Sequence, residues 1–287
     1  MSQQNWRNVY FTSDDGLRLY GRDYGPLNGS QTPVLCLAGL TRNSKDFHHV
    51  ASRLAQSRRV IVPDYRGRGL SQYADDWKTY QPDVEMADAV KLLDHSGINN
   101  FYVIGTSRGG LISMVMGQTI KHRLAGVVLN DIGPKLEDDG LIRIADAIST
   151  RTHHNDWREV ADSLKEYSIG FSEMSDDDWL EFARNLYREK DGIIEADYDV
   201  NLIKTFPDAD FIRSGRIPQA WEMFETFNGL PVGVVRGENS DLLSPETVEK
   251  MHQVHDGLIS ATVPNRAHVP FLDETEAIAV IDNILKN

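Results

Sequence analysis

The segment Gly105-Thr106-Ser107-Arg108-Gly109 has the form G-x-S-x-G. A serine hydroxyl is a weak nucleophile until it sits on a tight turn beside a base, and this pattern supplies the turn. The context fits as well. Phe101 to Ile104 predicts a buried strand ahead of the motif, and Leu111, Met114 and Val115 predict a helix behind it. A strand-turn-helix exposes the serine, and the N-terminus of the following helix favours developing negative charge.

A nucleophilic serine needs a base, and the base needs an orienting carboxylate. Downstream of Ser107 the histidines are His122, His153, His154, His252, His255 and His268. Only His268 follows a predicted strand end, in Val263-Pro264-Asn265-Arg266-Ala267-His268. Asp241 follows another, in the run Gly237-Glu238-Asn239-Ser240-Asp241. Open α/β sheets place their ligands beyond the carboxyl ends of strands. Two other acids compete with Asp241: Glu238 in the same loop, and Asp131 after the preceding strand.

The elements that must position these groups alternate. Short apolar runs at 34–37, 60–62, 101–104 and 127–129 suit strands buried on both faces. Helical stripes lie between them: Phe47, Val50, Ala51 and Leu54 form one, and Val84, Ala87, Val90 and Leu93 another. From Gly133 to Gly215 the rhythm changes to helical stripes with little strand signal. Ser175 with Asp178 marks the start of one of these helices. The alternation resumes at Val232 to Val235, Leu258 to Val263 and a closing helix over 274–286. The expected architecture is α/β: a mostly parallel central sheet flanked by helices, built from 1–132 and 216–287, with a helical cap inserted at 133–215. Charge marks the same segment. It holds 20 acidic and 10 basic residues, so it carries −10 of the chain's net −13.

These features together resemble the α/β-hydrolase fold superfamily, in its serine esterase, lipase and carbon–carbon-bond hydrolase group. Besides the serine turn, the resemblance rests on Pro63-Asp64-Tyr65-Arg66-Gly67-Arg68-Gly69-Leu70-Ser71, similar to the family's D-x-R-G-x-G-x-S segment. It also rests on Gly237 to Asp241 and on Ala267-His268-Val269-Pro270-Phe271. It implies a catalytic triad of Ser107, Asp241 and His268, with Asp241 preferred because its loop matches the commonest arrangement; some relatives keep the acid at the place of Asp131. It implies an oxyanion hole from the backbone N–H groups of Leu40 and Arg108. The family often has His-Gly where this chain has Ala38-Gly39, but backbone donors do not depend on that side chain. Arg108, where relatives often carry an uncharged residue, is expected to pair with a carboxylate from the acidic cap; the alternative is that it stabilises an anion or recognises a carboxylate. Asp64 and Arg66 are expected to fix the loop beneath the site. Epoxide hydrolases and haloalkane dehalogenases carry Asp in place of Ser107.

The resulting expectation is a serine hydrolase, carboxylesterase-like, acting on a small-molecule ester. A hydrolase of carbon–carbon bonds in ring-fission products, a cofactor-free perhydrolase and a lyase use the same triad. A ligand receptor without turnover is the alternative of another class. No cofactor and no metal are expected: H-E-x-x-H, C-x-x-C and P-loop patterns are absent, and the adjacent pairs His48-His49 and His153-His154 point apart on a helix. The net charge disfavours nucleic acid. No apolar run approaches the ~18 residues of a membrane span. One cysteine, Cys36, and a start without an apolar signal core suggest a reducing, cytoplasmic setting. The sequence sets no oligomeric state.

Overall fold

The computed structural model describes residues 5–149 and 154–286 of the 287. The chain runs β1 (Trp6–Thr12), β2 (Arg18–Tyr24), β3 (Val34–Leu37), α1 (His48–Leu54), β4 (Val60–Asp64), α2 (Pro82–His95), β5 (Phe101–Thr106), α3 (Arg108–Thr119) and β6 (Leu124–Asn130). It continues through α4 (Asp138–Ser149), α5 (Trp157–Tyr167), α6 (Asp176–Leu186), β7 (Tyr187–Lys190), β8 (Ile193–Ala196), α7 (Ala209–Arg213) and α8 (Trp221–Glu225). It closes with β9 (Val232–Gly237), α9 (Pro245–Val254), β10 (Ile259–Val263) and α10 (Thr275–Leu285).

Eight strands form one sheet in the order β1-β2-β4-β3-β5-β6-β9-β10. The pairs β1/β2 and β2/β4 are antiparallel, and all later pairs are parallel. The continuous apolar runs are explained by burial on both faces: every residue of β3, β4 and β5 is buried. Each such Val, Leu or Ile contributes about 1.5–3 kcal/mol by leaving water. Parallel pairing puts the carboxyl ends of β5, β6 and β10 along one edge, so the loops after them share a site. Cys36 lies on β3 with no exposure, and burial pushes its thiol far above the usual range, which makes it a packing residue.

One helix face differs from the apolar stripe in the sequence. The buried residues of α2 are Glu85, Asp88, Ala89, Leu92 and Leu93, whereas Ala87 is exposed. Two acids face inward because two arginines of the 63–71 segment meet them. Arg66 grips Asp88 at 2.7 and 2.9 Å, and Arg68 lies 2.7 Å from Glu85. A periodicity count assigns carboxylates to water; paired charges reverse that assignment.

The chain between β6 and β9 is mainly helical, and α6 begins with the expected capping box of Ser175 and Asp178. It also contains an unexpected hairpin, β7 and β8, paired antiparallel from Tyr187↔Ala196 to Lys190↔Ile193. Its two-residue turn is Asp191-Gly192, both at positive φ (53° and 78°). Asp-Gly suits such a turn, so the signal was present in the sequence. Val160, Ala161, Trp179, Ala183 and Ile194 form a small apolar cluster of their own, while Leu141 of α4 and Ile212 of α7 join the main core. The returning chain is stitched to the 63–71 segment: Gly69 N–H donates to Asp197 O and Asp199 N–H to Gly67 O. Among the described residues, no helix is long and apolar enough to cross a membrane.

Candidate active site

Ser107 occupies the corner between β5 and α3 at φ 50° and ψ −110°. A non-glycine residue at such a φ is strained and persists only where neighbours hold it. Here Ser107 N–H donates to Asn130 O at 3.1 Å, and Ser107 O accepts from Gly110 and Leu111 N–H at 2.8 and 3.2 Å. The flanking glycines permit the approach. A Cβ on Gly109 would overlap the Leu37 carbonyl, and one on Gly105 would lie 2.6 Å from Ser113 Oγ.

His268 sits in the loop after β10, with its side chain 8% exposed. Its Nε2 is 3.0 Å from Ser107 Oγ and its Nδ1 is 2.8 Å from Asp131 Oδ2. Asp131 directly follows β6, is fully buried and adopts φ 52°. Its carboxylate has two further donors: Gly237 N–H reaches Oδ1 at 2.8 Å and Ser240 Oγ reaches Oδ2 at 2.6 Å. Three donors fix its orientation toward the imidazole.

The carboxylate that meets the imidazole is thus Asp131, where the sequence led to the expectation of Asp241. Asp241 instead forms a two-pronged pair with Arg143 of α4, at 2.5 and 2.7 Å, with both side chains about one third exposed (33% and 34%). Burial pushes its carboxyl up, but the bonds and charge of Arg143 outweigh that and hold it below the usual range. Packing explains the switch. The backbone of α4 comes so close at Gly140 that a Cβ there would lie 2.6 Å from Asp241 O, which delivers Arg143 to Asp241. The same loop then presents Ser240, not Asp241, to the buried acid. The sequence signal for Asp131 was its place at the end of a buried strand. It could not be separated from Asp241 by pattern, because both follow strands on the same sheet edge.

Leu40 lies in the turn after β3, and Arg108 opens α3 one residue past Ser107. Neither backbone N–H has an acceptor among the described residues. The Arg108 side chain is engaged, but not by the segment between β6 and β9: its Nε donates to Glu85 at 2.8 Å and its Nη2 to Tyr80 O at 3.0 Å. Asp64 ties the loop beneath, accepting from Ser44 and Leu70 N–H at 2.7 and 2.8 Å, and Arg66 spans Asp88 and Asp15. Sequence reasoning missed Glu85, whose only signal is a carboxylate between apolar positions of a helix.

A cavity of about 180 Å³ adjoins this group. Thr106, Asn130 and Val269 line it, and each is the chain neighbour of a member of the Ser107–His268–Asp131 set. Phe182 of α6, Phe271 and Arg42 are also in its wall. Of the histidine pairs, His49 meets Glu181 at 2.7 Å and His48 meets the Tyr24 hydroxyl at 3.2 Å; His153 lies outside the described residues. Among the described residues, no group of three or more His, Cys, Asp or Glu is placed to hold a metal ion.

Known proteins resemble this chain over most of its length. A 3-hydroxybutyrate-oligomer hydrolase of Cupriavidus necator is 32% identical over 255 residues, covering 86% of each chain. A 2-(acetamidomethylene)succinate hydrolase of Mesorhizobium japonicum is 25% identical over 243 residues, 84% of this chain and 82% of that one. Among solved structures, an alpha/beta hydrolase from Novosphingobium aromaticivorans superposes with a TM-score of 0.91 at 38% identity over 99% of both chains. The family model of the alpha/beta hydrolase fold matches residues 32–274, and the chain belongs to that family.

Proposed function

We propose that this protein is a serine hydrolase that cleaves a small carboxylic ester through Ser107, His268 and Asp131. The observation that carries this reading is the continuous path from Ser107 Oγ through the imidazole to the buried Asp131 carboxylate. His268 Nε2 accepts the Ser107 proton as Oγ attacks the ester carbonyl. Nδ1–H, held by Asp131, keeps the ring in the tautomer that can accept it. The N–H groups of Leu40 and Arg108 stabilise the oxyanion. As the tetrahedral intermediate collapses, His268 gives its proton to the leaving alkoxide. Water, deprotonated by the same ring, then hydrolyses the acyl-enzyme and frees Ser107.

The substrate is proposed to enter the cavity beneath α6, in a cap that spans 133–215. A volume of about 180 Å³ compares with the ~150 Å³ cavity that holds a benzene ring, so it suits roughly six non-hydrogen atoms. A short hydroxyacyl group fits, and the relatedness to the 3-hydroxybutyrate-oligomer hydrolase favours esters of that kind. A reducing, cytoplasmic setting belongs to the same proposal and draws on the single buried cysteine.

A substrate panel tests the reading: hydroxyacyl and simple esters, amides and ring-fission diketones, with Ser107→Ala as the blank. Ester turnover that vanishes in the blank is expected, together with labelling of Ser107 by a fluorophosphonate. Undiminished turnover in the blank, or labelling at another residue, contradicts it. Stoichiometric ligand binding without turnover of any substrate would make the protein a receptor.

A further inference from the structure

Glu85 has no exposed surface, and it lies between two arginines. Its Oε1 is 2.7 Å from Arg68 Nη1, and its Oε2 accepts from Arg108 Nε at 2.8 Å. The arginines lead in opposite directions. Arg68, itself with no exposed surface, donates from Nε to the carbonyl of Leu40 at 2.8 Å and from Nη1 to Arg66 O at 2.7 Å. Arg108 is the residue after Ser107, and its Nη2 is tied to Tyr80 O. The two segments carrying the proposed oxyanion donors are far apart in sequence and come from different strands. One buried carboxylate joins them.

We infer that Glu85 is a positioning residue for the oxyanion hole, setting the spacing between the Leu40 and Arg108 N–H groups through Arg68 and Arg108. The inference rests on the serine-hydrolase reading. Glu85 and Arg68 are fully buried and the Arg108 side chain is only 12% exposed, so these charges are costly to assemble, and removing one partner leaves the others unpaired. Such a cluster holds its backbone attachments rigidly, and the stabilisation of an oxyanion depends on donors fixed before the reaction. The cluster's two cations and one anion also leave a net positive charge beside the serine corner, favourable where negative charge develops. The Arg108 side chain is thereby committed to Glu85 and Tyr80 and is not a ligand for substrate.

The test compares Glu85→Asp, Glu85→Gln and Arg108→Met with the unaltered protein on one ester. Glu85→Asp keeps the charge but is one methylene too short to reach both arginines. Arg108→Met keeps the backbone N–H and removes the link. Each folded variant is expected to lose about 10- to 100-fold in kcat, because a misplaced donor costs about that much, with KM changed less than about threefold. Affinity for a trifluoromethyl ketone, which mimics the tetrahedral adduct, should fall in parallel with kcat/KM, and Glu85→Asp should lose less than Glu85→Gln. The Arg108→Met arm decides the matter if the Glu85 variants do not fold. Unchanged kcat and inhibitor affinity in folded variants would overturn the inference, even where thermal stability falls. So would a raised KM at constant kcat in Arg108→Met, which would make that side chain a substrate ligand. Ser107→Ala, run alongside, separates this outcome from failure of the hydrolase reading: activity surviving in Ser107→Ala removes the reading itself.

Discussion

Ser240 donates its hydroxyl to Asp131 at 2.6 Å, so the loop after β9 supports an acid that it does not itself carry. The same hydroxyl accepts from Leu243 N–H at 3.1 Å, which holds the loop in the shape that directs Asp241 to Arg143. The two candidate acids are thus connected: one lies at the imidazole, and the neighbour of the other holds it there.

Removing that hydroxyl should be felt in turnover. A hydrogen bond to a charged group contributes about 1.5–3 kcal/mol, part of which water recovers at a partly accessible site. Ser240→Ala should lower kcat by roughly tenfold with little change in KM, as read by steady-state kinetics. Ser240→Thr, which restores the hydroxyl, should recover most of the loss. Equal kcat in the alanine variant and the original protein would make the contact incidental.

The Arg143–Asp241 pair should matter for stability and not for chemistry. Asp241's carboxyl is held below its ordinary value, so its contribution is present above the unfolded carboxylate range near pH 4 and fades as pH falls through the lower folded value. Both side chains are about a third exposed, so the pair is worth about 0–1 kcal/mol. Arg143→Gln should therefore lower Tm by a few degrees at most at pH 7. The difference from the unaltered protein should shrink in the acid range. A difference that grows on acidification would contradict this assignment.

Ionic strength probes the acids around the cavity. Asp46, Glu173, Asp178, Glu181 and Asp273 all line the cavity, with Arg42, His49 and Arg266 as the basic groups. Such an excess repels anionic substrates at low salt. The screening length falls from about 30 Å at 0.01 M to about 10 Å at 0.1 M, so added salt relieves the repulsion. The ratio of kcat/KM for a neutral ester to that for an anionic ester of similar size should exceed one at low salt and decline as salt rises. A flat ratio would leave the acids as a solvated face, and a preference for the anion at low salt would point to a cation such as Arg42 as a substrate contact.

Much of this site is legible in the sequence because burial on both faces leaves a plain mark. The apolar runs ending at Leu37, Ile104, Leu129 and Val235 correspond to buried strands, and Ser107 and His268 follow from what stands just beyond two strands of that sheet. What pattern does not carry is the direction of a loop side chain. Asp131 and Asp241 share a residue type, and both lie in loops after strands of one sheet; α4 packing against Leu242 breaks the tie, and that contact is long-range. Glu85 and Asp88 escaped for a related reason. A carboxylate on a helix is assigned to water unless its arginine partners, 17 to 23 residues away in sequence, are known to arrive. The hairpin at Asp191-Gly192 is different: Asp-Gly is a turn signal, but the strands beside it are four residues each, too short to show a clear alternation.

Catalysis by Ser107 depends on which carboxylate orients His268. The decisive measurement is kcat on a single ester for Asp131→Asn and Asp241→Asn, each checked for intact fold by circular dichroism. Replacing the orienting acid by its amide favours the wrong imidazole tautomer and costs on the order of 10⁴ in kcat. A loss of about that size is expected in Asp131→Asn, and less than about tenfold in Asp241→Asn. The reverse order, with Asp241→Asn crippled and Asp131→Asn near the original rate, would contradict it.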